Sequence, residues 1–175
     1  MKLLKFTDGT DVYDDFNTVY KKHKKGYVIL APPGTGKTTF VNNQTGKKKD
    51  WIDVDSLFGN KSLNIEWMNT KNPIDERLSY LRADYMLEQS KLYGYRMIGA
   101  LFWEYKADAI VIPPFKLHTL YVSSRKDLDI TKIKTMRKIF FTHAKKYKIP
   151  VFDNIINAVT YLDNLEKERL KCSNV

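Results

Sequence analysis

Cysteine is nearly absent from this chain of 175 residues, which contains only Cys172. A lone cysteine excludes an intrachain disulfide and a zinc site built on several cysteines. No apolar run approaches the roughly 18 residues that a transmembrane helix needs, and the first residues turn polar too early for a signal peptide. These absences predict a cytoplasmic protein that is soluble, works in a reducing compartment and has no membrane partner.

Arginine is scarce as well, and lysine supplies most of the 30 basic residues. These residues outnumber the 20 acidic ones, so the formal net charge is +10. Such an excess raises the local concentration of polyanions, and nucleic acid is therefore a candidate partner of the basic surface. Two lysine clusters, at 21–25 and 47–49, lie beside the turn signals Gly26 and Gly46, where a charge run is commonly just solvated. No motif that reads DNA or RNA sequence is visible.

The most informative segment is 31–38, which reads Ala-Pro-Pro-Gly-Thr-Gly-Lys-Thr directly after the apolar run 27–30. It matches the phosphate-binding loop pattern G-x-x-x-x-G-K-[ST], with Ala31 in the first place. Glycines let successive backbone N–H groups turn toward phosphate oxygens, Lys37 adds a point charge, and Thr38 offers a hydroxyl to Mg²⁺ and opens a helix. The expected ligand is a nucleotide, namely ATP or another nucleoside triphosphate with Mg²⁺. The predicted binding residues are Pro33, Gly34, Thr35, Gly36, Lys37, Thr38 and Thr39.

Two acidic residues follow the loop on the predicted strand 50–55. Asp53 and Asp55 are two residues apart, so they lie on one side of that strand, roughly 7 Å from each other. One of them can accept a proton from an attacking hydroxyl while the other holds a magnesium-bound water or the acceptor. The predicted metal ligands are Thr38 and Asp53, and an alternative role for Asp55 is to cap a helix at 56–58.

Arginine binds phosphate bidentately where lysine does not, so each of the few arginines is informative. Arg125 lies in a polar segment suited to a lid over ATP, and Arg137 lies at the margin of a predicted buried helix face. The three histidines show no metal spacing and are predicted to be surface or packing residues. The predicted catalytic residues are Lys37, Asp53, Asp55, Arg125 and Arg137.

Apolar strands alternate with helices along the chain, which predicts an α/β protein: a three-layer fold with a mostly parallel five-stranded sheet and helices on both faces. Its length fits a single domain, 1–175. We expect residues 1–25 to form an N-terminal hairpin and helix, 26–165 the core, and 166–175 a C-terminal tail. A helix from Pro73 to Tyr93 is expected to bury Ile74, Leu78, Leu81 and Tyr85, and a helix capped by Asp129 is expected to run to Tyr147.

With this loop and the acid-bearing strand, the chain resembles the kinase branch of the P-loop nucleoside triphosphatases, which includes nucleotide, nucleoside and polynucleotide 5′-hydroxyl kinases. The resemblance covers about residues 26–165, and its specific motif is the loop. It implies an ATP- and Mg²⁺-dependent phosphotransferase whose acceptor is a nucleoside, a nucleotide or a nucleic-acid 5′-hydroxyl.

Two alternatives remain. The wording of the loop also resembles that of AAA+ ATPases, but the apolar run 109–112 ends in Pro113 and Pro114, where those enzymes need Asp-Glu. The other alternative is a nucleotide-binding module without turnover.

Overall fold

Five strands form one all-parallel sheet in the order β2-β3-β1-β4-β5, accompanied by helices. This arrangement confirms the α/β class and is consistent with the predicted three-layer fold. The computed structural model describes residues 19–54, 73–100, 104–123 and 129–172, and for 73–76, 79 and 82 it describes the backbone alone. The elements are β1 (Tyr27–Leu30), α1 (Lys37–Asn42), β2 (Trp51–Asp53), α2 (Pro73–Leu92), β3 (Arg96–Gly99), β4 (Ala109–Val111), α3 (Phe115–Val122), α4 (Ile130–Tyr147), β5 (Val151–Phe152) and α5 (Ile155–Cys172).

The strand order reverses at β1, because β3 and β2 lie on one side of it and β4 and β5 on the other. Open parallel sheets bind ligands beyond the carboxyl ends of their strands at the point where the order reverses. The segment that leaves the carboxyl end of β1 is 31–36, so the fold brings the glycine-rich segment to the place where a ligand is expected.

The chain divides into two compact units, and the first comprises Met1–Val28 and Val41–Tyr105. Here β2 pairs with β3, with Trp51 opposite Arg96 and Asp53 opposite Ile98. Helix α2 packs on β3. The side-chain amide of Gln44 donates to the Trp51 carbonyl over 2.9 Å and accepts from the Trp51 N–H over 2.7 Å. Gln44 thereby satisfies the backbone of β2 at the edge of the sheet.

The second unit comprises Ile29–Phe40 and Lys106–Val175. Ile29 and Leu30 pair with Ala109 and Ile110, and β4 pairs in turn with β5. Helix α5 packs on β4 and β5. The Asp129 side chain caps α4 by accepting from the Lys132 N–H over 2.7 Å, as the sequence predicts.

Two local predictions are wrong. The helix expected to reach the end of 1–25 stops before Tyr20, which instead forms a parallel bridge with Lys49. Helix α2 leaves Leu78 and Leu81 exposed and buries another face, formed by Ala83, Met86, Leu87 and Ser90. These four positions follow the helical spacing i, i+3, i+4, i+7, so the helix is amphipathic, but its buried face is not the one that the sequence predicts. The side chain of Ile74 lies outside the described residues.

The remaining long helices end close to the expected places. Helix α5 continues to Cys172, through the first part of the segment expected to be a tail. The segment 117–124, whose sequence fits either a helix or a strand, is helical as far as Val122. Within the part of the chain that the structure describes, no helix has the length and apolar character needed to cross a membrane.

Candidate phosphate-binding site

The loop after β1 holds two glycines in a conformation that other residues avoid. Gly34 and Gly36 both have φ of 83°. The Thr35 hydroxyl donates to the Pro32 carbonyl over 2.9 Å and so closes a turn inside the loop. A Cβ placed on Gly36 would meet no atom within 4 Å, so the loop is open on that side. This open space beside a turned backbone is what a phosphate group requires.

Gly34, in contrast to Gly36, has no open space beside it, because helix α3 packs against it. A Cβ at Gly34 would overlap Cγ1 of Val122 and lie 3.5 Å from Nε2 of His118. Val122 is itself buried, so its branched side chain has little room to move. Helix α3 thus fixes the shape of the loop from behind, and only a glycine permits this approach.

The two glycines therefore make a matched pair for a stability test. Gly36→Ala should lower the free energy of unfolding by about 1 to 2 kcal/mol, the cost of a Cβ at positive φ. Gly34→Ala should lose a further 1 to 3 kcal/mol or so, because it adds an overlap with Val122. Thermal melts and urea titrations of both variants measure the difference. Equal losses would show that α3 does not constrain the loop.

Lys37, the first residue of α1, is buried although it carries a charge. Its ammonium group donates to the carbonyl oxygens of Ala31 and Pro32 over 3.2 and 3.3 Å. The next two residues, Thr38 and Thr39, are exposed. The loop thus holds one ammonium group within its own curve and presents the hydroxyl-bearing side outward.

His118 on α3 is completely buried and contacts both the loop and α4. Its Nε2 lies 2.8 Å from the Pro33 carbonyl oxygen, and its Nδ1 lies 3.4 Å from Nη1 of Arg137. A carbonyl oxygen only accepts and a guanidinium only donates, so Nε2 must carry the proton and Nδ1 must be the acceptor. His118 is therefore a neutral imidazole that links Arg137 to the loop.

Burial, together with nearby positive charge, favours this neutral form of His118. Burial is the largest effect that lowers the pKa of His118 below 6.5, and the positive charges of Arg137 and Lys37 lower it further. The hydrogen bond to Pro33 acts in the opposite direction. Protonation would place an N–H at Nδ1 directly against the guanidinium, so the link to Arg137 exists only while His118 is neutral.

Arg137 reaches inward from α4. Its guanidinium donates to the Pro113 carbonyl, just after β4, and lies over the rings of Phe115 and Phe141 at 5.6 and 5.7 Å. Burial lowers the pKa of Arg137 from its ordinary value, but a guanidinium stays charged at any physiological pH. Carbonyl, imidazole and aromatic groups hold it in place without neutralising it. The second unit therefore collects two cations and one neutral imidazole around the loop.

Of the two predicted acidic residues, Asp53 lies in the part of the chain that the structure describes. Asp53 ends β2 in the first unit and is 4 % exposed, a degree of burial that is unusual for a carboxylate. Asp55 and Arg125 lie outside the described residues. The roles assigned to Asp53, Asp55 and Arg125 therefore stay predictions.

Sequence reasoning missed His118, which it treated as a surface or packing residue. The residue is buried, but it also binds Pro33, which lies 85 positions earlier in the chain. One signal was available: once 115–122 is read as a helix, His118 and Val122 fall one turn apart on the same face. A histidine one turn from a buried valine has a polar group inside the protein that needs a partner.

Comparison with known proteins gives a short match. A stretch of 40 residues, 23% of this chain, is 48% identical to part of an AAA-ATPase of Arabidopsis thaliana. The match spans 8% of the length of that protein, so it relates a short stretch of this chain to a small part of it. No protein-family model matches the chain. The match agrees with a P-loop type of nucleotide site without deciding between the branches that carry one.

Proposed function

We propose that this protein binds a magnesium nucleoside triphosphate at residues 31–39 and catalyses transfer of its terminal phosphoryl group. The observation that supports this most is the group around the loop in the second unit. Lys37 and Arg137 supply two positive charges, and His118 connects Arg137 to the Pro33 carbonyl. A backbone turned by two positive-φ glycines, open at Gly36, completes an environment suited to a polyphosphate.

The chain's own residues divide the work as follows. The N–H groups of the loop hold phosphate oxygens, and Lys37 exchanges its two carbonyl partners for the phosphates nearest the transferred group. The hydroxyl of the exposed residue Thr38 would hold the metal, which would neutralise charge on the phosphates. Arg137, fixed by Pro113 and His118, stabilises the negative charge that develops during transfer.

For the acceptor, we favour a hydroxyl group over water, which makes the protein a kinase. Asp53, at the carboxyl end of β2, or Asp55 deprotonates the hydroxyl, and Arg125 closes over the nucleotide. The resemblance to P-loop kinases supports this assignment, as does Pro113-Pro114 after β4, a place without a carboxylate to activate water. The match to an AAA-ATPase supports the second candidate, simple ATP hydrolysis.

A transfer assay separates the two. The protein is incubated with Mg²⁺ and γ-labelled ATP, in parallel with nucleosides, nucleotides, 5′-hydroxyl oligonucleotides and water alone. We expect labelled product with one hydroxyl acceptor, and its loss in Asp53→Asn or Asp55→Asn by 10²-fold or more, the usual range for a general base. Asp153→Asn, an exposed acid beyond β5, is the matched control and should keep full activity.

Each other outcome has a definite meaning. Label released only as free phosphate would establish an ATPase and refute the kinase assignment. Nucleotide binding with neither reaction would identify a binding module without turnover. If Mg-ATP at 100 times a micromolar dissociation constant gave no thermal stabilisation, where about 2.7 kcal/mol is expected, the nucleotide site itself would be refuted.

A further inference from the structure

The two lysine clusters, separated by more than 20 residues in sequence, lie side by side in the first unit. Tyr20 and Lys49 form a parallel bridge. The Lys21 N–H donates to the Lys49 carbonyl over 2.9 Å, and the Lys49 N–H donates to the Val19 carbonyl over 3.0 Å. The segments 21–25 and 47–49 therefore form one surface, which we call the lysine platform.

The backbone of the platform is fixed from its other side as well. The His23 N–H donates to the Gly94 carbonyl over 2.8 Å. A Cβ at Gly94 would overlap the His23 carbonyl oxygen, and one at Gly26 would overlap the carbonyl oxygen of Lys91. The segment 20–26 is thus held between residue 49 and the end of α2. These anchors fix the path of the backbone that carries Lys21 to Lys25 and Lys49.

The platform keeps most of its charge. It contains seven lysines, and among the described residues the acid recorded in an ion pair with this segment is Asp50, which lies 3.3 Å from Nζ of Lys21 and 3.4 Å from Nε2 of His23. Lys22 and Lys25 lie over aromatic rings, which hold an ammonium group without cancelling its charge. Burial lowers the pKa of His23, so the imidazole contributes no charge at neutral pH. Lys22, Lys24, Lys47 and Lys48 are exposed.

We propose that the lysine platform binds the phosphate backbone of nucleic acid without reading its sequence. Lysine is a compact point charge that contacts phosphate oxygens, and backbone contacts of this kind carry no sequence information. The segments 21–25 and 47–49 contain only lysine and histidine, so they offer no apolar side chain to insert into a lipid surface. This function is independent of the nucleotide site.

Salt dependence gives the proposal a quantitative test. Each phosphate contact releases counterions and adds about 0.7 (single strand) to 0.9 (duplex) to the slope of log affinity against log salt. The triple variant with Lys22, Lys24 and Lys47 each changed to Gln removes up to three contacts from both segments. Its slope should be shallower by about 2 to 3, and its affinity roughly 100-fold lower near 0.1 M salt.

The experiment is fluorescence anisotropy with labelled single-stranded and duplex DNA of roughly 20 nucleotides, between about 50 and 200 mM salt. The matched control carries the same charge change on α4, with Lys132, Lys138 and Lys145 each changed to Gln; all three are exposed. The slope of the control should differ from the wild-type slope by no more than one phosphate contact contributes, about 0.7 to 0.9. Thermal melts verify that both triple variants are folded.

Three results would overturn the proposal. Equal losses in the platform variant and the control would show that only net charge matters. Vesicles containing phosphatidylserine that compete better than DNA would identify a lipid surface as the partner. Salt-independent or undetectable DNA binding would remove the function. The platform segments 21–25 and 47–49 contain none of the residues assigned to the nucleotide site, so a failure of that site leaves this test intact.

Discussion

Lys37→Ala is expected to weaken binding of Mg-ATP by roughly 30- to 150-fold, equivalent to about 2 to 3 kcal/mol. The ammonium group is already inside the curve of the loop, on the carbonyl oxygens of Ala31 and Pro32. It needs only a small movement to reach a phosphate, and hydrogen bonds between charged groups in a buried place are the strong ones. Calorimetric titration of both proteins with Mg-ATP measures the loss.

The control is Lys138→Ala, which removes the same charge from an exposed position on α4. It should bind Mg-ATP as tightly as the wild type. Because Lys37 also satisfies two carbonyl oxygens of the loop, the alanine variant should be slightly less stable without nucleotide, and its fold must be checked by circular dichroism. A folded Lys37→Ala protein with unchanged affinity would contradict the assignment of the loop.

Local patterns in the sequence predict much of this fold. The apolar run 27–30 is β1, the run 109–111 is β4, and Asp129 caps α4 as its residue type and position indicate. Each of these features has a signal within a few consecutive residues: an apolar run for a buried strand, and an N-cap aspartate for a helix. Such features depend little on the rest of the protein, so residue order alone is sufficient to identify them.

Features that depend on distant partners could not be predicted. Residues 20–25 continue a helical pattern, but bonds with Lys49 and Gly94 hold them in a non-helical path. In α2, several apolar residues lie on more than one side, and only packing decides that Met86 and Leu87 are buried and Leu78 is not. Propensity is a weak prior that such tertiary contacts override.

The candidate site also has a part that the sequence predicts and a part that depends on distant residues. The loop is a contiguous motif and was identified from its residues, whereas the supporting groups come from α3 and α4, far along the chain. The sequence singled out Arg137 because arginine is rare here, but it could not show that the guanidinium would meet His118. The loop is thus one part of a larger arrangement whose remaining parts are visible only in the folded protein.

His118→Phe should lower the free energy of unfolding by about 1 to 3 kcal/mol, because two part-buried polar groups lose a hydrogen-bond partner. These groups are the Pro33 carbonyl and an N–H of Arg137. His118→Gln can place an amide N–H near the position of Nε2, so it should recover part of the loss. Urea unfolding measures all three proteins, and Mg-ATP titration should rank their affinities in the same order.

The pH dependence tests the role of His118 more directly. Since the pKa of His118 is lowered in the folded state, the unfolded chain takes up a proton first as the pH falls below 6.5. The stability contributed by neutral His118 is therefore complete above about pH 6.5 and is lost below it, by at most about 1.4 kcal/mol per pH unit. His118→Phe has no histidine at this position and lacks this pH-dependent contribution, so its stability should approach that of the wild type as the pH falls.

His23, whose pKa is also lowered, contributes equally to the stability of both proteins and cancels in their difference. A difference that stays constant from pH 7.5 to about 5 would mean that His118 does not hold Arg137 and the loop through its neutral form.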